Sequence, residues 1–121
     1  MNPQAVTNAA WSFATLGWEP GAEVRAALKA AVVRVAPDMT RQAAANVAWG
    51  FATLGLMPGT EVRAALEAAV ERVGPDMKPQ EVANAIWAFE TLLWEPGAET
   101  RAALETAVVR WRPRWYGWVR T

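Results

Sequence analysis

The sequence predicts an all-α fold, a short α-solenoid of three tandem helix–turn–helix repeats with about six helices and a right-handed superhelix. Two observations support this prediction. The same residues recur every 38 positions along the 121-residue chain, and within each copy the apolar residues follow a helical period that a Pro-Gly pair interrupts once. With 53% hydrophobic and 20% charged residues, the chain has the composition of one soluble folded domain.

The repeat is visible as columns of identical residues. Tryptophan recurs at positions 11, 49 and 87, which are 38 residues apart. We therefore divide the chain into unit 1 (2–39), unit 2 (40–77) and unit 3 (78–115), which leaves the pattern after residue 110, and a tail at 116–121. One hairpin cannot bury its apolar stripes alone, so the units are expected to stack into a single domain. Other columns with the same step are Asn8, Asn46, Asn84; Phe13, Phe51, Phe89; and Leu16, Leu54, Leu92.

The two helices of each unit, helix A and helix B, have separate boundary signals. Pro3 and Pro79 suit the first turn of helix A, and Thr40 offers a hydroxyl cap at the equivalent boundary. The first helix A is expected to end near Leu16, before a Pro-Gly turn. Helix B follows that turn directly, with Glu23 near the positive end of its dipole, and a proline such as Pro37 ends it.

Helix A is predicted to be amphipathic. At about 100° per residue, Val6, Ala10 and Phe13 form the stripe that should face helix B. Tryptophans 11, 49 and 87 fall on one flank, where packing against a neighbouring unit is the favoured interpretation. Phe51 and Trp49 of the central unit are expected to be core residues.

The face opposite Val6 is polar and resembles a ligand-reading surface. Three of its columns, Gln, Asn and Thr, are the same in every unit, and two columns vary. A fixed polar frame with varying occupants is typical of helical-repeat proteins that read one nucleotide per repeat. The varying column at positions 12, 50 and 88 would then set base preference. The candidate RNA-contact residues are Gln4, Ala5, Asn8, Ser12, Thr15, Gln42, Ala43, Asn46, Gly50, Thr53, Gln80, Glu81, Asn84, Ala88 and Thr91.

Structural alternatives stand beside this interpretation. The Asn column could form amide hydrogen bonds from unit to unit, and the Thr hydroxyls could bond to their own preceding turn. The carboxylates of helix B, including Glu67 and Glu71 four residues apart, are interpreted as solvated surface charge.

Composition argues against an enzyme. The chain has no cysteine and no histidine, which removes thiolates, the commonest general base and the commonest metal ligands. We therefore expect no catalytic residue, no cofactor and no metal. No window is apolar enough for a membrane span, and the first residues do not form a visible targeting peptide.

The charge is unevenly distributed. Residues 1–109 hold 8 basic and 12 acidic side chains, whereas residues 110–121 hold four arginines and no acid. In the end of the chain, Arg112, Arg114, Trp115 and Trp118 are candidates for phosphate neutralisation and base stacking. A hydrophobic cap or a gene-model artefact is the favoured alternative for this segment.

One segment resembles a known family. Pro79-Gln80-Glu81-Val82-Ala83-Asn84-Ala85-Ile86-Trp87-Ala88-Phe89-Glu90-Thr91-Leu92, at a 38-residue period, is similar to octotricopeptide repeats over about residues 2–111. The resemblance implies a nucleus-encoded protein that binds single-stranded RNA in chloroplasts or mitochondria, in transcript stability, processing, splicing or translation. The chain departs from the family where Glu19-Pro20-Gly21-Ala22-Glu23 replaces a Pro-Pro-Pro-Glu-Trp-like stretch, which indicates a divergent branch.

Three functions remain open at the sequence level. The leading hypothesis is a non-enzymatic segment that binds single-stranded RNA through the polar face of helix A. A protein-binding solenoid scaffold is the rival, and it accounts better for the acidic repeats. Since members of the family usually carry more units than this chain, a fragment without a function of its own is the third.

Overall fold

The computed structural model describes residues 2–17 and 20–113. These residues form α-helices and short 3₁₀ helices and contain no strand, which confirms the all-α prediction. The six α-helices are α1 (Pro3–Leu16), α2 (Ala22–Val35), α3 (Arg41–Leu54), α4 (Gly59–Val73), α5 (Pro79–Thr91) and α6 (Ala98–Arg110), and the 3₁₀ helices are Ala36–Asp38 and Gly74–Asp76.

Side chains and glycines define the ends of the first helix in units 1 and 2. The Asn2 side chain accepts a hydrogen bond from the Ala5 N–H at 2.8 Å, and the Thr40 hydroxyl accepts one from the Ala43 N–H at 3.1 Å. At the other end, Gly17 and Gly55 adopt left-handed conformations with φ of 67° and 64°, which glycine accepts without steric cost. Helix A therefore begins and ends where the sequence predicts.

The second helix of units 1 and 2 ends in a 3₁₀ turn that contains the predicted proline. After each turn a methionine, Met39 or Met77, is 1% exposed and anchors the connection in the core. Arg72 of α4 reaches back to this turn in unit 1 and donates to the carbonyl oxygens of Ala36 and Met39 at 3.1 and 3.0 Å. The turns thus join neighbouring units.

The helices pack in two layers. α1, α3 and α5 contact one another in sequence order, and so do α2, α4 and α6. Small residues line this contact, and a Cβ added to Gly50 would lie 3.4 Å from the Ala10 carbonyl oxygen. This packing is compatible with a short α-solenoid, and the handedness of the superhelix stays a prediction.

The core runs through the central unit. Phe51 is fully buried and Leu66 and Val70 are each 1% exposed, so the prediction that Phe51 is a core residue is confirmed. Phe13 is only half-buried, because α1 has no unit before it in the described chain. Trp49, expected in the core, is half-buried as well, since its column lies at the edge of the layer rather than between helices.

Candidate nucleic-acid interface

The invariant polar columns lie on one side of the helix-A layer. The glutamines at 4, 42 and 80 and the threonines at 15, 53 and 91 are exposed, as predicted from the helical phase. Asn8 is exposed as well, whereas Asn46 and Asn84 are half-buried. The fold therefore brings these nine polar residues to one accessible surface, which we call the polar face: Gln4, Asn8, Thr15, Gln42, Asn46, Thr53, Gln80, Asn84 and Thr91.

Two of the three asparagines of the polar face, Asn8 and Asn84, bond within their own helix. The Gln4 Nε2 donates to the Asn8 Oδ1 at 3.3 Å, and the Gln80 Nε2 donates to the Asn84 Oδ1 at 3.1 Å. Among the described residues no hydrogen bond joins an asparagine of one unit to an asparagine of the next. A ladder of asparagine-to-asparagine hydrogen bonds is therefore not formed among these residues.

A polar groove separates α1 from α3 at the start of the two helices. Its volume is about 240 Å³. Amide side chains come from both walls, and the Trp11 ring forms part of its edge. A groove of this size holds a single flat ring with a few hydrogen bonds, not a folded partner. The residues that line it are Gln4, Thr7, Asn8, Trp11, Thr40, Gln42, Ala43 and Asn46.

The two variable columns do not belong to the exposed surface in units 2 and 3. Ala5 and Ser12 are exposed in unit 1, but their counterparts Ala43, Gly50, Glu81 and Ala88 are buried. Gly50, Glu81 and Ala88 are therefore poorly placed for nucleotide contact, because each helix A turns this flank towards the preceding helix A. Ala43 is buried as well, but it lines the groove between α1 and α3. Gly50 lies against the Ala10 backbone, and a Cβ added there would make ordinary van der Waals contact, as the buried Ala88 at the equivalent position of unit 3 does with its own neighbours.

Glu81, a residue of one variable column, contacts the starts of two helices. Its Oε1 accepts a hydrogen bond from the Lys78 N–H at 2.8 Å, which caps the start of α5. The same atom lies 3.1 Å from the Arg41 Nε at the start of α3. The carboxylate thus fixes the spacing of two neighbouring helix A starts.

The tryptophan column is more exposed than the sequence interpretation allows. Trp11 and Trp87 are 46% and 44% exposed, and Trp49 is half-buried. Trp11 and Trp87 are therefore only partly packed, and somewhat less than half of each side chain is accessible. The signal was present in the helical phase, since Trp11 lies about 140° from Val6 and Gln4 about 160° at 100° per residue. The rings accompany the polar face rather than flank it.

Carboxylates of helix B also have a different role from the predicted surface charge. The Glu67 side chain accepts hydrogen bonds from the Gly97 N–H at 2.8 Å, the Trp94 indole N–H at 2.9 Å and the Thr100 hydroxyl at 3.0 Å. All three donors belong to unit 3, so Glu67 is an interface residue. Trp94 is 4% exposed and contacts Phe89 edge-on, with ring centroids 4.7 Å apart.

The pKa values of two neighbouring carboxyls shift in opposite directions. Burial acts to raise the pKa of Glu67, but the three hydrogen bonds and the nearby Arg63 charge outweigh it, and the pKa lies below its ordinary value. Burial raises the pKa of Glu71, and the carboxylates of Glu99 and Glu67 add to the effect against an opposing Thr100 hydrogen bond. This pattern is that of a structural carboxylate pair at a helix interface.

Only part of the basic candidate segment lies within the described residues. Arg112 is exposed, and its Nη1 lies 3.4 Å from the Val109 carbonyl oxygen. The Trp111 indole N–H donates to the Met77 carbonyl oxygen at 3.2 Å and ties the end of α6 to unit 2. Arg114, Trp115 and Trp118 lie outside the described residues.

We also searched the described residues for metal sites and membrane-spanning helices. Within residues 2–17 and 20–113, no group of three or more acidic side chains could hold a metal ion. No helix in these ranges is long and apolar enough to cross a bilayer. Comparison of the chain with protein-family models, curated proteins and solved structures gave no match.

Proposed function

We propose that this chain is a non-enzymatic repeat segment that binds single-stranded RNA through the polar face and the tryptophan column beside it. The observation that supports the proposal most is the partial exposure of Trp11 and Trp87, at 46% and 44%, beside glutamine and asparagine side chains that bond to each other within their own helix in units 1 and 3. Exposed aromatic rings beside amide donors and acceptors suit unstacked bases, which offer a flat ring and a hydrogen-bonding edge.

The chemistry would be divided between residue types. The indole rings stack on bases, which is worth about 1–3 kcal/mol per base. Glutamine and asparagine amides, with both donors and acceptors, bond to base edges. Phosphates would be neutralised by basic groups near the starts of the helices, where Lys78 is exposed and Arg41 is partly exposed. Action in chloroplast or mitochondrial RNA metabolism is the extension that the octotricopeptide resemblance suggests.

The experiment replaces the two most exposed tryptophans. Trp11→Ala with Trp87→Ala should lower the affinity for a short labelled single-stranded RNA of mixed sequence, measured by fluorescence anisotropy. Removal of each stacked ring corresponds to about a fivefold to hundredfold weakening. Met57→Ala is the matched control, because Met57 is 61% exposed on the turn before α4 and not on the polar face. Unchanged RNA affinity in the double variant, with its melting temperature preserved, would contradict the proposal.

A protein-binding scaffold is the second candidate, and the charge of the repeats favours it. The repeats at residues 1–109 carry 8 basic against 12 acidic side chains, which repels a polyanion. Salt separates the two functions, because phosphate contacts weaken steeply as counterions are added and apolar peptide contacts do not. Binding of a peptide ligand that is insensitive to salt, with no RNA binding at low salt, would select the scaffold.

A further inference from the structure

Each unit presents two faces to its neighbours. We call the residues that pack against the preceding unit the leading face, and those that pack against the following unit the trailing face. Ala10 belongs to the trailing face of unit 1 and Gly50 to the leading face of unit 2, since these two residues are in contact. The repeat of 38 residues assigns the equivalent positions in the other units.

Unit 1 exposes its leading face. Val24 of α2 is 44% exposed, whereas its counterparts Val62 and Thr100 are 2% and 0% exposed. Ser12 is exposed, whereas Gly50 at the equivalent position of unit 2 is buried. In units 2 and 3 the leading-face residues pack against the preceding unit. In unit 1 the equivalent residues have no unit to pack against within the described chain.

Unit 3 exposes its trailing face in the same way. Val108 is 46% exposed, whereas the equivalent Val32 and Val70 are 0% and 1% exposed. Ile86 is 46% exposed at the position where Ala48 is 1% exposed. These side chains belong to a largely apolar groove of about 1110 Å³. Its apolar lining includes Ile86, Phe89, Trp94, Leu104, Val108 and Val109, and charged side chains that include Glu90, Arg101 and Glu105 also line it.

The junction between units 2 and 3 shows which pairs a trailing and a leading face make. Glu67 accepts the Gly97 N–H at 2.8 Å, at the start of α6. One turn further along α4, the Glu71 carboxylate lies 3.3 Å from the Thr100 hydroxyl. This junction therefore contains a carboxylate, Glu67, at the start of α6 and a polar pair formed by Glu71 and Thr100.

The junction between units 1 and 2 uses a different set. Lys29 replaces the capping carboxylate, and it cannot accept a hydrogen bond from the Gly59 N–H. Val33, half-buried, stands at the position of Glu71, and Val62, which is 2% exposed, stands at the position of Thr100. Both positions are therefore apolar at this junction. At these two positions both residues are polar in the junction between units 2 and 3, and both are apolar in the junction between units 1 and 2.

The exposed faces of units 3 and 1 are complementary at both of these positions. Glu105 occupies the place of Glu67, and Gly21 occupies the place of Gly97 at the start of α2, which has no side-chain cap. Val109, 51% exposed, and Val24, 44% exposed, occupy the positions that Val33 and Val62 hold at the junction between units 1 and 2, so both positions are apolar there as well. In addition, positions 18–23 and 94–99 have identical sequences. The residues around the start of helix B are therefore the same in units 1 and 3.

From this complementarity we propose that a second copy of this chain docks head to tail, with its unit 1 leading face on the unit 3 trailing face of the first copy. The contact continues the interface that the chain already forms twice. It is heterologous, so it does not close on itself and assembly grows with concentration. Ile86 in place of Ala48 widens the spacing of the helix-A layer, so the association is weaker than the internal junctions.

The experiment uses the full chain without nucleic acid, so its outcome is independent of RNA binding. Sedimentation velocity of the wild-type protein should show dimers and longer species as the concentration rises towards about 1 mM, the limit of weak binding. Val24→Glu blocks the leading face and Val109→Glu blocks the trailing face, and each variant alone should be monomeric. Both residues are about half exposed in the single chain, so both variants should fold, which circular dichroism verifies.

Mixing the two variants is the decisive step. One retains an intact trailing face and the other an intact leading face, so an equimolar mixture should form a one-to-one dimer and nothing larger. Met57→Glu, which places the same charge at a 61% exposed position outside both faces, should associate like the wild type. A wild-type protein that stays monomeric at about 1 mM overturns the proposal, and so does a Val24→Glu variant that still dimerises, which would indicate a symmetric contact.

A second measurement tests the capping carboxylate. Glu105→Gln keeps the size of the side chain but removes its charge, and it should raise the dissociation constant of the mixed dimer about tenfold, as expected for a charge-assisted hydrogen bond. Glu61→Gln, on the exposed first turn of α4, is the matched control and should leave it unchanged. Equal dissociation constants for Glu105→Gln and the control would overturn the register proposed for the two copies.

Discussion

Glu67 connects two units through one carboxylate. It accepts hydrogen bonds from the Gly97 N–H, the Trp94 indole and the Thr100 hydroxyl, all of unit 3. Its neighbour Glu71 lies close to the same hydroxyl but also to the carboxylate of Glu99. One carboxylate is thus stabilised in its charged form and the other is disfavoured, and the two should affect stability with opposite dependence on pH.

The first prediction concerns acid stability. Because the folded-state pKa of Glu67 is lowered, its contribution is present above the unfolded-state pKa and is lost as pH falls through the folded-state pKa. Because the pKa of Glu71 is raised, its contribution is present at low pH and is lost as pH rises through the folded-state value. Denaturant unfolding between neutral pH and about pH 3 should therefore show a smaller acid-induced loss of stability for Glu67→Gln, and a larger one for Glu71→Gln, than for the wild type. Identical pH profiles in all three proteins would refute the assignment.

The second prediction concerns the central phenylalanine. Phe51 is 0% exposed between two layers, so Phe51→Ala should lower the free energy of unfolding by about 3–5 kcal/mol where the cavity cannot collapse. Phe13→Ala is the comparison, and it should cost less because Phe13 is half-buried. Urea unfolding measures both. A melting temperature that barely changes in Phe51→Ala would mean that the helical phase assigned to α3 is incorrect.

Among the helices, the first helix of unit 3 ends differently from those of units 1 and 2. Units 1 and 2 use glycine in the left-handed conformation, whereas unit 3 places Leu93 at the equivalent position with φ of 54°. Leu93 is also 93% exposed, so its side chain gains little from packing in this conformation. A leucine in this region is strained by about 1–2 kcal/mol.

The third prediction follows from that helix end. Leu93→Gly should raise the free energy of unfolding by up to about 1 kcal/mol, because relief of strain exceeds the added entropy of glycine in the unfolded chain. Met57→Gly, at an exposed position without positive φ, should lower it. Thermal melts of the two variants beside the wild type provide the measurement, and a destabilised Leu93→Gly would contradict it.

The helix ends could be predicted from the sequence, whereas the contacts between helices could not. The bounds of α1 and the ends of the second helices followed from Pro3, Leu16 and Pro37, because caps and prolines act locally. The burial of Gly50 and Ala88 did not follow, because it depends on how far one helix A is rotated against the next, and a single helical wheel does not contain that angle. Glu67 was likewise assigned to solvent, since its partners in unit 3 are supplied by stacking alone.

For the whole molecule, the distribution of charge limits how RNA can be held. Residues 1–109 carry 8 basic and 12 acidic side chains, and four arginines follow at 110–121. Few phosphates can be neutralised at the polar face, where Lys78 and Arg41 are the nearby cations and Arg41 is paired with Glu81. If RNA binds there, base stacking and amide contacts must supply most of the affinity, and the arginine-rich end would add a contribution that does not depend on sequence.

The last prediction separates these two contributions by a salt titration of single-stranded RNA binding. Asn46→Ala should weaken binding at every salt concentration without changing the salt slope, because an amide releases no counterion, and the melting curve should be preserved since Asn46 is only half-buried. Arg112→Ala with Arg114→Ala should weaken all sequences alike and flatten the slope of log K against log salt by about 0.7 for each phosphate that is no longer neutralised. An Asn46→Ala variant that melts early and keeps the RNA affinity of its folded fraction would identify the asparagine column as structural, and RNA binding by the polar face would then be refuted.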